Sequence, residues 1–217
     1  SCIGGSVEQI DALLKQYRAI GIRHVVALRG DLPSGSKDPG DFLYACELVD
    51  FIRKMHGDWF EIKVAAYPEY HPQSVSPEDD IDNFCRKVRA GADEAITQYF
   101  YNADAYVHFV EACHRRGVAV PVVPGVMPIT NYEHLARFSD NCGAEIPRWI
   151  RLRLSHFNEQ QREDLVSFGQ DVVASLCQRL IDAGAPGLHF YTMNQVNPTL
   201  GICRRLGLLD AASAGAP

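Results

Sequence analysis

Short apolar segments alternate with longer amphipathic segments along the whole chain. Most of the short segments are almost continuously apolar, which is typical of strands buried on both faces of a parallel sheet. The pattern predicts strands at residues 2–3, 24–28, 60–66, 94–99, 118–123 and 187–191. The longer segments place their apolar residues on one side of a helix, so we expect helices between the strands.

Capping signals mark where several of these helices begin. Serine or threonine three residues before glutamine or glutamate predicts a capping box. The chain contains two such pairs, Ser6 with Gln9 and Thr130 with Glu133. Proline at the first helical position predicts two further helix starts, at Pro77 and Pro198. The longest predicted helix covers residues 159–183.

Strands that alternate with helices predict a parallel α/β fold, either doubly wound or a (β/α) barrel. No GxGxxG or GxxxxGK[ST] loop follows a predicted strand, so the phosphate loops of the common nucleotide-binding folds are absent from the sequence. Polar residues instead follow several strand ends, as in a barrel site: Asp31, Tyr67, Glu69, His71, Gln98, Asn194 and Gln195. We therefore predict a (β/α)8 TIM-type barrel that forms a single domain over residues 1–217.

The number of predicted strands bears on how much of the barrel this chain contains. A closed barrel of this type has eight strands, and the pattern predicts six. We therefore expect roughly two βα units and part of a third to precede residue 1, which makes this chain the C-terminal three-quarters of the barrel.

Composition and charge narrow the classes of function. Apolar residues make up 47% of the 217 residues and the net charge is −6, with the basic residues scattered. A scattered basic content predicts no nucleic-acid partner, and the absence of a long apolar run predicts no membrane span. The seven cysteines form no CxxC pair, which favours a reducing, cytoplasmic compartment over a disulfide framework or zinc ribbon. A cytoplasmic chain argues against cell adhesion through the tripeptide Arg29-Gly30-Asp31.

Three candidate motifs have both a structural and a functional interpretation. Asp31 suits a ligand site, but it also suits a helix N-cap or a turn ion pair with Arg29. Glu69 and His71 resemble half of a metal site, but one carboxylate and one imidazole are a weak signal, and no metal is expected. A polar row on the predicted helix after Pro77 suits either a solvated face or a cationic pyrophosphate site, and its members are Asp80, Asn83, Arg86 and Lys87.

Five blocks along the chain resemble the bacterial type of methylenetetrahydrofolate reductase. They read "VVALRGDLPSG", "VAAYPEYHPQS", "KVRAGADEAITQYFYNADAY", "VVPGVMPITNY" and "GLHFYTMNQ", and they occur in the family's order. The resemblance implies a barrel that binds FAD and reduces 5,10-methylenetetrahydrofolate to 5-methyltetrahydrofolate with NADH or NADPH. Such an enzyme supplies methyl groups for methionine synthesis, and we expect a homo-oligomer whose partners are small molecules.

The resemblance also assigns roles to individual residues. Asp31 is implied as a catalytic residue that sets the charge beside the flavin. The implied FAD contacts are Arg29, Gly30, Asp31, Tyr44, Ala45, Ala65, Tyr67, His71, Asp80, Asn83, Arg86 and Lys87. The implied contacts with folate or nicotinamide are Gln98, His134, Phe138 and Gln195.

Three departures limit this transfer of roles. His134 stands where the best-known bacterial members have a second glutamine, and Gln195 stands where they have an arginine. The family's catalytic glutamate, in a Glu-Phe-Phe-Pro-Pro type motif, is also absent and is expected in the segment before residue 1. Two alternatives remain open, namely another flavin barrel enzyme such as a proline dehydrogenase, and a catalytically silent accessory subunit that binds flavin or folate.

Overall fold

The computed structural model describes residues 1–32, 35 and 38–209, over which helices alternate with short strands. The elements are α1 Val7–Ala19, β1 His24–Ala27, α2 Ala45–His56, β2 Glu61–Ala66, α3 Pro77–Arg89, β3 Glu94–Thr97, α4 Ala103–Arg115, β4 Val122–Val123, β5 Gly125–Val126, α5 Tyr132–Cys142, α6 Arg148–Leu154, a 3-10 turn Glu159–Gln161, α7 Arg162–Asp182, β6 His189–Phe190 and α8 Val196–Arg205. The alternation predicted from the sequence is therefore confirmed, although most strands are shorter than predicted.

The chain folds as two compact units, which are described separately. The first unit comprises residues 1–66, 78–96 and 112–122, and the second comprises residues 67–77, 97–111 and 123–217. Residues 210–217 of the predicted domain lie outside the described residues. The assignment of the whole chain to a single domain stays a prediction.

The first unit is built on a four-stranded sheet in the order β1-β2-β3-β4. β1 and β2 are parallel, with Val25 opposite Ile62. β2 alternates between fully buried residues, such as Ile62 and Val64, and partly exposed ones. The edge strand β1 leaves Val26 half exposed. The expectation of strands buried on both faces is therefore wrong for these two strands, of which β2 buries one face fully and β1 buries only its last residue.

Residues 2–3 do not form the predicted first strand. The backbone N–H groups of Cys2 and Ile3 donate to the carbonyl of Arg29, which lies beyond the end of β1, and the chain then turns at Gly4. Bonds to the end of a strand do not continue into a ladder. This contact also explains Gly30, whose φ is +83° and whose added Cβ would lie 2.8 Å from the Cβ of Ser1.

The second unit contains a two-stranded parallel sheet, in which Gly125 pairs with His189 and Val126 with Phe190. The sequence did not predict β5. The Gly125 N–H donates to the Thr97 hydroxyl at 2.8 Å, and a Cβ on Gly125 would lie 2.2 Å from the Thr97 carbonyl oxygen. A strand of two residues between Pro124 and Met127 exists because of this close tertiary contact, which local periodicity cannot reveal.

Helix starts agree with the sequence where a local cap decides them. Ser6 and Gln9 form the predicted capping box of α1, and α3 begins at Pro77 as predicted. α5 is capped by Asn131, whose side chain accepts from the His134 N–H at 2.9 Å, so the predicted cap at Thr130 is wrong by one residue. α8 begins at Val196, two residues before the proline expected to open it, and α6 was not predicted.

Two further observations concern the thiols and the helices. All seven cysteines are free thiols, and burial raises the pKa of Cys113 and Cys177 to about 12, which suits packing rather than reactivity. Among the residues that the structure describes, no helix combines the length and the apolar character needed to cross a membrane.

Candidate functional site

In the first unit, the end of β1 presents an exposed carboxylate. The Asp31 side chain is 89% exposed, and one of its oxygens lies 3.9 Å from a terminal nitrogen of Arg29. The Arg29 Nε also donates to the carbonyl of Gly30 at 3.0 Å. The turn ion pair considered from the sequence is therefore present. It is long and exposed, so it stabilises the turn little and leaves the carboxylate available to a ligand.

The connection between β1 and α2 also exposes apolar side chains. Leu28, Leu32, Leu43 and Tyr44 are all more than one-third exposed. Tyr44 directly precedes Ala45, the first residue of α2, and the Glu47 carboxylate fixes this start by accepting from the N–H groups of residues 43 and 44 at 2.7 and 3.1 Å. A flat, partly polar ring system could bind here, because it would cover the exposed apolar side chains and contact the charged turn beside them.

On α3, Lys87 points toward the end of β2. Its ammonium group donates to the carbonyl of Ala65 at 2.6 Å and lies 5.7 Å from the centre of the Phe84 ring. Although Lys87 as a whole residue is only half-buried, desolvation of the ammonium lowers its pKa to about 8. The buried Asp80 carboxylate, two turns earlier on the helix, opposes this shift. The result is a cation enclosed by protein at a strand end.

The other two members of the predicted row have different surroundings. Arg86 is exposed and donates to the Asn83 side-chain oxygen at 2.8 Å, while the Asn83 amide donates to Asp79 at 3.1 Å. The sequence pattern placed all four residues on one polar face. In the structure, Asp80 is buried and Arg86 faces solvent. The two cations of the row therefore differ, since Lys87 points toward protein and Arg86 toward solvent.

In the second unit, the segment after β2 contains Tyr67, Glu69 and His71. The rings of Tyr67 and His71 meet edge to face, with their centres 4.6 Å apart. The Glu69 carboxylate accepts from the N–H of Glu145 at 2.8 Å, and burial raises the pKa of Glu69 to about 7. No group of three or more histidine, cysteine, aspartate or glutamate residues within the described part of the chain is arranged to hold a metal ion.

A stacked aromatic pair lies beside the predicted substrate glutamine. The Gln98 side-chain oxygen accepts from the Tyr99 N–H at 3.0 Å. The Tyr99 ring stacks on Phe138 of α5, with ring centres 5.8 Å apart and planes 13° apart. The Tyr99 hydroxyl and the buried Ser139 hydroxyl are 2.8 Å apart, and burial raises the pKa of Tyr99. The tyrosine is therefore a fixed, neutral platform that holds Phe138.

The remaining two predicted substrate residues lie at the N-terminal ends of helices. His134 is exposed in the first turn of α5, where its backbone N–H is used by the Asn131 cap. Gln195 is exposed and directly precedes α8. The predicted cofactor residues thus lie in the first unit except for Tyr67 and His71, and all four predicted substrate residues lie in the second unit.

Comparison with known proteins identifies the fold and the family. A solved structure of an uncharacterized protein from Clostridium thermocellum, described as binding two copies of 5-methyl-5,6,7,8-tetrahydrofolic acid, matches with a TM-score of 0.56 at 18% identity, over 93% of this chain and 79% of that one. This likeness concerns the fold alone. Together with the parallel strands and intervening helices, it supports the predicted class, a (β/α)8 barrel protein.

Relatives in sequence define the family. The family model described as methylenetetrahydrofolate reductase matches residues 1–207. The 5,10-methylenetetrahydrofolate reductase of Salmonella typhimurium is 36% identical over 209 residues, and the match covers 96% of this chain and 69% of the relative. Methylenetetrahydrofolate reductase (NADH) 1 of Zea mays is 36% identical over 230 residues, which cover 100% of this chain and 39% of the relative. The chain belongs to the methylenetetrahydrofolate reductase family.

Proposed function

We propose that this chain forms part of an FAD-dependent enzyme that reduces 5,10-methylenetetrahydrofolate to 5-methyltetrahydrofolate with NADH or NADPH. The main support is the family match over residues 1–207. The solved protein of similar fold is described as binding a reduced folate, which agrees with a folate substrate. In a cell, such an enzyme would act in the cytoplasm as a homo-oligomer and supply methyl groups for methionine synthesis.

The first unit offers groups that suit FAD. FAD combines a flat apolar ring with a pyrophosphate. The exposed apolar side chains between β1 and α2 suit the ring, and Lys87 and Arg86 suit the pyrophosphate. Bound FAD would supply the hydride carrier, which protein side chains cannot provide. The protein groups would bind and orient it through Arg29, Gly30, Tyr44, Ala45 and Ala65, together with the members of α3.

Asp31 would act through its charge. Its exposed carboxylate disfavours additional negative charge nearby and favours a neighbouring cation. In the proposed reaction, the folate passes through a cationic iminium form before it is reduced. A carboxylate at the end of β1 would stabilise that cation without exchanging a proton itself.

The second unit offers groups that suit the folate or nicotinamide. Gln98 is an amide donor and acceptor beside a rigid aromatic pair, and the outer ring, Phe138, is 41% exposed. A planar pterin, benzoyl or nicotinamide group could stack on this exposed ring. Tyr67 and His71, which the family resemblance implies as FAD contacts, also belong to this unit.

Absorbance spectroscopy of the purified protein tests the proposal. We expect flavin absorption bands that NADH or NADPH bleaches and that methylenetetrahydrofolate then restores. A protein that retains flavin but shows no bleaching would support a silent accessory subunit. A protein that binds neither flavin nor folate would contradict the proposal.

A further inference from the structure

A cleft of about 340 Å³ lies in the second unit, beside the first turns of α7 and α8. It is lined by Thr130, Arg162, Val166, Gln195, Val196, Asn197 and Pro198. A volume of this size is at the lower end of the range for small-molecule pockets, and is sufficient for part of a ligand rather than the whole. Gln195, a predicted substrate residue, belongs to the lining.

Arg162 gives this cleft its charge. Among the described residues that line it, Arg162 is the one with an ionised side chain. Arg162 is exposed, and no described side chain accepts a hydrogen bond from its guanidinium or forms an ion pair with it. Two other arginines of the same unit form ion pairs, Arg179 with Asp104 at 2.7 Å and Arg205 with Asp171 at 2.6 Å. Within the described part of the chain, the donors of Arg162 are therefore free of side-chain partners, which suits a contact with a ligand.

The rest of the lining suits an anion attached to an apolar group. Thr130, Gln195 and Asn197 add neutral hydrogen-bonding groups. Val166, Val196 and Pro198 provide apolar surface. No described lining residue has a carboxylate that would repel an anion or attract a metal ion. Arginine binds carboxylate and phosphate groups through paired N–H donors, and the neutral amides can complete the coordination of such a group.

We propose that Arg162 binds an anionic group of a substrate in this cleft, with Gln195 and Asn197 as neutral partners. The choice of ligand rests on the proposed function. Within it, two substrates contain suitable anions, namely folate, through the carboxylates of its glutamate tail, and the nicotinamide dinucleotide, through its phosphates. Both are recognised by the same chemistry, so experiment must distinguish them.

Equilibrium binding to Arg162→Gln tests the assignment. The ligands are 5-methyltetrahydrofolate with one and with three glutamates, NADH, and inorganic pyrophosphate as a simple anion probe. Loss of a charge-assisted contact should weaken at least one organic ligand about tenfold or more, while Arg162→Lys should recover part of the loss. The matched control is Arg148→Gln, since Arg148 is likewise exposed and begins a helix but does not line the cleft.

The outcomes separate the possibilities. A loss confined to the folates, and larger for three glutamates, identifies a carboxylate site; a loss confined to NADH identifies a phosphate site. Equal losses in the Arg148→Gln control, or no loss for any ligand, would overturn the proposal.

A chemical protection experiment remains decisive if the proposed function fails. Should the wild-type protein bind neither folate nor nucleotide, pyrophosphate should still protect Arg162 from phenylglyoxal, an arginine-specific reagent. Arg148 should remain unprotected in the same sample. Equal modification of Arg162 with and without pyrophosphate, measured by peptide mass spectrometry, would then show that the cleft does not bind anions.

Discussion

At the scale of single residues, Lys87 and Glu69 both have perturbed pKa values, and they differ in how far the sequence could predict them. The place of Lys87 in a polar row with Asp80 and Asn83 is visible in the sequence, whereas its role as an FAD contact was implied by the family resemblance. The enclosure of Lys87 against the Ala65 carbonyl is not visible in the sequence, since that depends on a contact 22 residues away. The raised pKa of Glu69 is caused by burial, and the bond from the Glu145 N–H, 76 residues away, opposes that shift. Both effects depend on the folded chain, so no local signal encodes them.

Lys87 should take up a proton when FAD binds. With a pKa of about 8, the free lysine is about half protonated at pH 8, and a nearby pyrophosphate would raise that pKa. We expect uptake of about half a proton per FAD at pH 8 and almost none at pH 6. Calorimetric titration in buffers of different ionisation enthalpy measures this uptake.

Three controls attribute the proton to Lys87. Lys87→Met should abolish the uptake, whereas Arg86→Met should preserve it because it leaves Lys87 in place. Riboflavin, which lacks the pyrophosphate, should bind without uptake. If riboflavin and FAD take up the same proton, the pyrophosphate does not lie near Lys87.

Glu69 should make folding stability depend on pH in a defined direction. Its pKa is about 7 in the folded protein and 4.5 for an unperturbed glutamate. The stabilisation from the protonated form is therefore complete below about pH 4.5 and is lost as the pH rises through about 7. Glu69→Gln keeps an acceptor for the Glu145 N–H and cannot ionise. The melting temperature of Glu69→Gln minus that of wild type should increase as the pH is raised from about 4.5 to about 7, and should then level off.

The neighbouring ionisable groups supply the control for Glu69. The Glu145 carboxylate raises the Glu69 pKa slightly and is itself exposed, and Tyr99 senses the Glu69 charge. Glu145→Gln should therefore change the pH profile much less. A melting difference for Glu69→Gln that does not vary between pH 5 and pH 8 would show that Glu69 titrates normally.

At the scale of elements, the sequence predicts those whose ends are decided by neighbouring residues. α1 and α3 begin as expected because a capping box and a first-turn proline act within one turn. β5 could not be predicted, since it depends on the approach of Gly125 to Thr97. α5 lies between these cases, because Thr130 and Asn131 are both suitable caps and sequence does not choose between them.

Asn131→Ala should destabilise α5. The Asn131 side chain satisfies the His134 N–H at the positive end of a helix that also contains Phe138. Losing such a cap costs about 1 kcal/mol of unfolding free energy. Thr130→Ala is the matched control and should change the unfolding free energy by less than about 0.5 kcal/mol, as for a side chain that caps nothing. Urea denaturation of both variants measures the difference. A larger loss for Thr130→Ala would assign the cap to the residue predicted from sequence.

At the scale of the whole molecule, the fold class predicted from the sequence agrees with the structure. The candidate site residues differ in whether a sequence motif or a contact between distant segments reveals them. Five ordered blocks of sequence were sufficient to predict a (β/α)8 barrel and the reductase family. Arg162 had no such signal, because a lone arginine at the start of a helix is common and its position beside Gln195 is tertiary. The family resemblance could therefore be found from motifs, whereas the lining of the cleft is visible only in the folded chain.

The single-domain organisation is itself a prediction, and it implies one unfolding transition. β3, α4 and β4 are each divided between the two compact units, so unfolding either unit would disrupt elements that also contribute to the other. Each unit has its own tryptophan. In the first unit, the guanidinium carbons of Arg18 and Arg23 lie 4.7 and 4.2 Å from the centre of the Trp59 ring. The Trp59 indole N–H donates to the Ile22 carbonyl. Trp149 of the second unit is 59% exposed.

Trp59→Phe and Trp149→Phe each leave one fluorescent reporter, so urea unfolding can be followed in one unit at a time. We expect the two variants to unfold with the same midpoint and slope, and each to agree with its own far-UV circular dichroism curve, because a cooperative domain exposes all of its surface in one step. Since either substitution can shift stability by itself, the decisive comparison is between fluorescence and circular dichroism within one variant. A fluorescence midpoint displaced from the circular dichroism midpoint in both variants, and in opposite directions, would mean that the two units unfold as separate domains.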